Sequence, residues 1–268
     1  MRVFIAGSSA FPEELETFQT SPYLLESFLY FREWQKPLIQ SAKVFMLDSG
    51  AFTLRKRNGA VDWEDFIRRY GEFIDENNID RYFEVDIDNI VGYDNVKKLT
   101  AELETITGKR CIPVWHPNRG KDEFERMCEE YDYVSLGGIA GADRTTKKKY
   151  QALFPWFIQT AHRYETEIHG LGFTSQKMIR HYHFDSVDST SWTSGGRWGQ
   201  IIQFNGQGLE IIDTSNRRII DRHTATHHNL QEWIKFQRYA EKKLWQKGYS
   251  FTAEGWTVTS YQSCGNRT

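Results

Sequence analysis

The sequence predicts a (β/α)8 TIM-type barrel with a β-hairpin insertion and a C-terminal helix, and three observations predict it. Short apolar runs alternate with longer amphipathic ones in about seven strand–helix units, spaced roughly 25 to 40 residues apart. Crossovers of that length return each strand parallel to the one before. The chain has 268 residues, enough for one such barrel, so residues 1–268 read as a single domain. No Gly-x-Gly-x-x-Gly fingerprint or Walker loop follows any strand, which argues against an open nucleotide-binding sheet.

Taken in order, Arg2–Ala6 reads as a strand, and Pro22–Ile39 as a helix with Leu24, Leu25, Phe28 and Phe31 on one side. Lys43–Leu47 is the next strand. Asp62 caps a helix through Asn77 in which Phe66, Ile67, Tyr70, Phe73 and Ile74 keep helical spacing. Arg81–Val85 is a strand, with a helix following to about Ile106. Cys111–Trp115 precedes a helix over Lys121–Glu130, where Asp122 reads as a helix cap. Tyr133–Leu136 precedes one over Thr146–Tyr164. Ile168–Leu171 is the sixth strand, Ser175 caps a short helix to Tyr182, and His183–Val187 is the seventh strand. The pattern then changes. Gln200–Phe204 and Leu209–Ile212 flank Asn205-Gly206-Gln207-Gly208, a hairpin signal, and Arg218–Ile220 adds a strand. Asn229–Gln246 is a periodic helix, and Trp256–Val258 is strand-like. The eighth barrel strand is expected after Trp192.

Composition narrows the function classes. Charged residues make up 26% and net charge is −2, so no global basic field advertises nucleic acid and any such contact must be local. Aromatics reach 15%, more often core filling than ligand stacking. Cys111, Cys128 and Cys264 are scattered without metal-ligand spacing, which points away from a disulfide framework or zinc knuckle. No metal or cofactor is expected. No apolar run approaches the ~20 residues of a membrane span, and the opening strand is not a signal peptide. The reading is a cytoplasmic protein without membrane association.

In a (β/α)8 barrel the chemistry lies at the C-terminal ends of the strands. Those ends read Asp48-Ser49-Gly50, Asp86-Ile87-Asp88, His116-Pro117-Asn118, Gly137-Gly138, Gly170-Leu171-Gly172-Phe173 and Asp185 or Asp188. A single Asp after a strand is as often a turn former or helix cap. Three separate strands delivering carboxylates to one rim are less easily accidental. Gly137-Gly138 is either an approach for a ligand or a tight turn. His116 is the weaker candidate, because a lone His beside Pro is more often a satisfied loop residue. His227-His228 has no zincin spacing and reads as structural. Lys147-Lys148-Lys149 reads as a solvated helix face. Arg55-Lys56-Arg57, with Arg197, are the candidate contacts to a polyanion. Two carboxylates facing across a pocket support glycosidic chemistry, one as nucleophile and one as acid/base.

Asp48-Ser49-Gly50-Ala51-Phe52 resembles the Asp-Ser-Gly-x-Phe/Tyr segment of the tRNA-guanine transglycosylases, the (β/α)8 enzymes of queuosine and archaeosine biosynthesis. Asp188-Ser189-Thr190-Ser191-Trp192 resembles the archaeal Asp-Ser-Ala-Ser-Tyr, which carries the nucleophile. Val85-Asp86-Ile87 is similar to the segment bearing the base-recognising acid. Leu136-Gly137-Gly138-Ile139-Ala140 is similar to Gly-Gly-Leu-Ala, and Gly170-Leu171-Gly172 to Gly-Val-Gly. The matches keep family order over roughly Lys43 to Gly199. The resemblance implies Asp188 as nucleophile and Asp48 as general acid/base. Asp86 would read the purine N–H groups, Gly137 and Gly138 its carbonyl oxygen, and Phe52 and His169 would sandwich the ring, with Gly170 beside it. Alignment on the bacterial Phe-Asp-Cys-Val places the nucleophile at Asp185 instead. Asp188 is preferred because Ser189, Ser191 and an aromatic at position 192 then also match.

The tRNA enzymes carry a Cys-x-Cys-x-x-Cys…His zinc site after the nucleophile, and this sequence cannot supply it. A compact relative without zinc is more similar to the 7-deazaguanine DNA-modification transglycosylases of bacteria and phages. That resemblance implies a pentosyltransferase replacing guanine in DNA with a 7-deazaguanine base such as preQ0, in a bacterial or phage-infected cell. The alternatives are tRNA as substrate, or a retaining glycoside hydrolase on the same fold. A partner that opens the duplex is compatible with this reading.

Overall fold

The structure, a computed structural model, describes residues 1–54, 61–138, 143–173, 175–195, 199–212, 221–244, 249–252 and 255–258, with the backbone alone at 52, 176–178, 249–252 and 255–258. Its centre is a sheet of strands β1 (Arg2–Ala6), β2 (Tyr23–Ser27), β3 (Val44–Asp48), β4 (Val114–Trp115), β5 (Tyr133–Leu136), β6 (Glu167–Gly170) and β7 (Ser186–Ser189). Their order is β3-β2-β1-β7-β6-β5-β4, and every neighbouring pair is parallel. Residues 82–83 close the ring as an eighth stave, bridging Leu47 to Tyr82 and Phe83 to Ile112.

That stave is short for a chemical reason. Ile112 meets it with both backbone groups, its N–H donating to Tyr82 O at 2.7 Å and its carbonyl accepting the Glu84 N–H at 3.0 Å, but the next N–H on that edge, that of Val114, turns to a side chain. The Glu84 carboxylate accepts the Val114 N–H at 2.8 Å, a side chain standing in for the ladder. Tyr70, from the helix Trp63–Glu76, donates to the carbonyls of Leu47 and Phe83 at 3.0 and 3.1 Å and ties the stave to β3. Asp62 caps that helix, accepting the Asp65 N–H at 2.9 Å.

Alternate strand residues face opposite ways. Phe4, Ala6, Tyr23, Leu25, Met46, Phe83, Ile112, Val114 and Tyr133 fill the lumen. Val3, Ile5, Leu24, Phe45, Leu47, Val134, Leu136, Ile168 and Val187 pack outward against the helices. The helix Arg222–Lys243 covers the seam at β1. Its buried Gln237 donates to the carbonyls of Val3 and Tyr23 at 2.8 and 2.7 Å, and accepts from Ser21 Oγ at 2.8 Å. Trp192 plugs the seam from the other side, its Nε1–H donating to Ala6 O at 2.8 Å with Phe11 and Phe18 edge-on.

Two expectations are corrected. Pro22–Ile39 is not one helix: it holds β2, two 3-10 turns and the helix Lys36–Ser41. Tyr23-Leu24-Leu25 is apolar on both faces because it is buried on both, and periodicity cannot separate such a run from a helix. The missing barrel strand is therefore β2, not a segment after Trp192. The seventh predicted strand also moves, from His183–Val187 to Ser186–Ser189, which places Asp188 within the strand. The hairpin is found as expected: β8 (Ile201–Phe204) and β9 (Leu209–Ile212) pair antiparallel, and Asn205 Oδ1 accepts the N–H groups of Gln207 and Gly208. The predicted strand over 218–220 lies outside the described residues. Among those described, no helix is long and apolar enough to cross a membrane.

Candidate active site

The C-terminal mouth of the barrel is built on three loops whose backbones are pinned from outside. After β3 the chain turns at Ser49-Gly50, where Ser49 Oγ accepts the Ala51 N–H at 3.2 Å. Gly50 has φ +73°, and a Cβ there would fall 2.2 Å from Ser27 Oγ, so conformation and space both require glycine. Asp48 shares the lumen-facing parity of Val44 and Met46 and opens into the mouth. Burial first, then the negative charge of Asp86 and, less, that of Asp188, push its carboxyl up to about 7, against the pull of the Gly50 and Ser49 N–H groups.

The second and third loops are clamped together by a buried ion triad. Arg119 Nε and Nη2 donate to Asp88 at 2.6 Å each, and Nη1 lies 2.7 Å from Glu84. The guanidinium also stacks 4.1 Å from the Tyr93 ring. Glu84 and Asp88 flank Asp86, and Arg119 follows His116 by three residues. The triad therefore fixes Asp86 and His116 against each other, with Nε2 3.4 Å from Asp86 Oδ2.

Gly137 and Gly138 continue the rim from β5. A Cβ on Gly137 would stand 2.6 Å from Val114 Cγ1 and 2.7 Å from His116 Cε1. Gly138 has φ +78°, and a Cβ there would stand 3.3 Å from His116 Nδ1 and 3.6 Å from the Tyr150 hydroxyl. Glycine at both positions lets the imidazole lie on the peptide. Around this rim, Tyr150 OH and Ser27 Oγ are shielded from solvent yet have no hydrogen-bond partner among the described residues, and His116 Nε2 has the Asp86 carboxylate at 3.4 Å. Buried polar groups are nearly always paired, so two unpaired ones at one mouth mark a place where a ligand's polar atoms fit.

Asp188, on β7, is 7% exposed. Its Oδ1 accepts the Gly172 N–H at 2.5 Å and lies 3.3 Å from His169 Nε2, while Oδ2 takes no hydrogen bond among the described residues. One oxygen is anchored and the other is available.

The structure therefore gathers Asp48, Asp86, Asp188, His116, Gly137 and Gly138 at one mouth. It moves three other candidates away from it. His169 is fully buried among Phe4, Phe83 and Tyr133 beneath Asp188, so it has no face to offer a flat base and contacts the acid instead. Gly170 is on the outward parity of β6, where a Cβ would meet Phe173 at 3.2 Å and Val187 at 3.4 Å; its glycine serves packing. Asp185 sits before β7 at the opposite end of the barrel, accepting the Ile168 N–H at 2.8 Å and pairing with His162 at 2.9 Å. The Phe52 side chain, Arg55, Lys56, Arg57 and Arg197 lie outside the described residues. Sequence reasoning missed Ser27, hidden in the misread helix, and Tyr150, hidden behind the lysines before it. It also missed Arg119, whose buried role shows only when Glu84 and Asp88 are seen to face it. Among the described residues, no three His, Cys, Asp or Glu side chains could together hold a metal ion.

No family model matches the chain, and no curated protein matches it in sequence. Solved structures match it in fold. A Coccidioides immitis protein assigned as a fructose-1,6-biphosphate aldolase aligns with TM-score 0.52 at 11% identity, over 90% of this chain and 88% of that one. The thiamine phosphate pyrophosphorylase of Pyrococcus furiosus aligns with TM-score 0.48 at 10% identity, over 88% and 96%. The carboxyl transferase domain of Rhizobium etli pyruvate carboxylase aligns with TM-score 0.46 at 13% identity, over 89% and 48%. The likeness to the Coccidioides immitis protein supports the barrel, and at such an identity it leaves the chemistry to the site.

Proposed function

We propose that this protein is an enzyme, a base-exchange transglycosylase that replaces guanine in DNA with a 7-deazaguanine base such as preQ0. The observation that carries the reading is the pairing of Asp48, held near neutrality, with Asp188, anchored through Oδ1 alone, at a mouth floored by Gly137-Gly138. A carboxyl that titrates near pH 7 suits proton transfer in both directions, and an anchored carboxylate suits nucleophilic attack. The ordered motif resemblance supplies the nucleobase as the leaving group.

The steps follow from those roles. The target nucleotide is flipped out of the helix into the mouth. Asp188 Oδ2 attacks C1′, the C1′–N9 bond to guanine breaks, and Asp48 gives its proton to the departing base. The incoming 7-deazaguanine then loses its N9 proton to Asp48 as N9 attacks C1′, and the bond to Asp188 breaks. Asp86 and His116, held by the Arg119 triad, face the base's N–H groups, and the Gly137-Gly138 peptides its carbonyl oxygen.

Incubation of the purified protein with duplex DNA, tRNA and radiolabelled preQ0 tests the proposal. Label is expected in DNA. Label in tRNA alone would move the substrate, and label in neither, with sugar released from oligosaccharides, would replace the reading by a glycoside hydrolase.

A further inference from the structure

Beneath Asp188 the lumen is not wholly apolar. A file of buried polar side chains runs from the mouth toward the N-terminal face, one from each of three neighbouring strands. His169 on β6 places Nε2 3.3 Å from Asp188 Oδ1 and Nδ1 2.6 Å from Ser186 Oγ on β7. Ser186 Oγ in turn is hydrogen-bonded to the Tyr133 hydroxyl on β5. His169 and Ser186 are fully buried and Tyr133 is 5% exposed. The guanidinium groups of Arg2 and Arg81 lie 5.5 and 5.2 Å from the centre of the Tyr133 ring, and Arg2 is paired with Glu167 at 2.6 Å.

The protons in this file can be assigned by elimination. Burial pushes the Tyr133 phenol above its ordinary range, so it keeps its proton, and Ser186 Oγ is its hydrogen-bond acceptor among the described residues. Ser186 Oγ keeps a second lone pair, but its own proton has no acceptor other than His169 Nδ1 among the described residues once Tyr133 donates, and donating there leaves both hydroxyl protons partnered. Nδ1 is then an acceptor, and the neutral ring carries its proton on Nε2, pointed at Asp188. The reverse direction would strand the Tyr133 proton in the lumen. It would also turn an Nε2 lone pair on a carboxylate unless the ring were charged.

We propose that Tyr133, Ser186 and His169 form a positioning relay that fixes His169 as the neutral Nε2–H tautomer and, through it, the rotamer of Asp188. Oδ1 is held by His169 and Gly172, and Oδ2 is the atom presented to substrate. The inference rests on Asp188 as the reacting carboxylate. It recasts His169 from a base-stacking residue to one that acts through Asp188, as second-layer partners orient the ligands of metal sites.

Two measurements test it, and the first does not depend on activity. In protein labelled with 15N-histidine, the His169 ring should show a protonated Nε2 and an unprotonated Nδ1. Ser186→Ala and the nearly isosteric Tyr133→Phe should each shift that signature toward mixed tautomers. A protonated Nδ1 or an imidazolium in the wild type overturns the relay, whatever the protein acts on. The second is base exchange. His169→Gln keeps an amide N–H for Asp188 and should stay within about 10-fold of wild-type kcat, whereas His169→Leu should fall about 100-fold with KM little changed. Equal losses in the two variants, both folded by circular dichroism, also overturn it. The expected tautomer without any label transfer would uphold the relay geometry and sink the transglycosylase reading alone.

Discussion

Asp185 and Asp188 stand three residues apart, one just before β7 and one within it, and the fold treats them oppositely. Asp185 meets a backbone N–H and an imidazole at the N-terminal face, where Arg2 and Glu167 also pair and the polar groups answer one another. Asp188 is held by one oxygen only, in a mouth where Asp48 and Asp86 add like charge and Tyr150 and Ser27 each keep an unpaired polar atom. The same residue type is thus a stabilising element at one end and a reactive candidate at the other. The difference teaches that exposure is a poor guide here, since both acids are buried. What separates them is whether their surroundings already satisfy them.

The largest expected effect falls on that pair. Asp188→Asn should lower base exchange at least ~1,000-fold, and Asp185→Asn should leave kcat within several-fold. Measured on labelled DNA, the opposite ranking would relocate the chemistry to the other end of the strand. Next comes the clamp between the two rim loops. Arg119→Met leaves Glu84 and Asp88 buried without a counter-charge, and should cost about 3–5 kcal/mol in urea unfolding. A loss below ~1 kcal/mol would mean that the triad does not hold Asp86 and His116 in place.

Asp185→Ala strands the Ile168 N–H and should cost roughly 1–3 kcal/mol while leaving activity per folded molecule intact. A drop in kcat without a drop in stability would contradict the division between the two ends. The smallest effect is a pH dependence. The Asp48 carboxyl is raised from an ordinary 3.8 to about 7, so its contribution to stability is full below the lower value and is lost as pH rises through the upper one. Asp48→Asn should therefore be little different from wild type at pH 4 and more stable at pH 8. The gain should be roughly 1–2 kcal/mol, because Asp48 is partly open to solvent and screened by it. Thermal unfolding across that range checks the sign; a variant less stable at pH 8 than wild type would show that the mouth does not penalise the carboxylate.

Much of this site was legible because strand ends punctuate the sequence. Asp48, Asp86 and Gly137-Gly138 follow short apolar runs that can be little else, and their common rim follows from the barrel. His169 and Gly170 were misjudged for a different reason. Their meaning depends on which of two adjacent positions faces the lumen, and a strand's sequence carries the alternation without labelling its faces. The choice between Asp185 and Asp188 turned on where β7 begins: a start at His183 puts Asp185 inside the strand, whereas the start at Ser186 leaves it before the strand, at the N-terminal face.

The sequence by itself determined the parallel barrel, the hairpin after Trp192, the helix capped by Asp62 and the acids at the mouth, because periodicity, turn chemistry and capping are local. Only the tertiary structure decided that Tyr23–Ser27 is a stave, that Glu84, Asp88 and Arg119 form one clamp, and that His169 lies under Asp188. Each of those depends on which groups meet across the barrel, and burial on two faces or pairing between distant residues leaves no periodic trace along the chain.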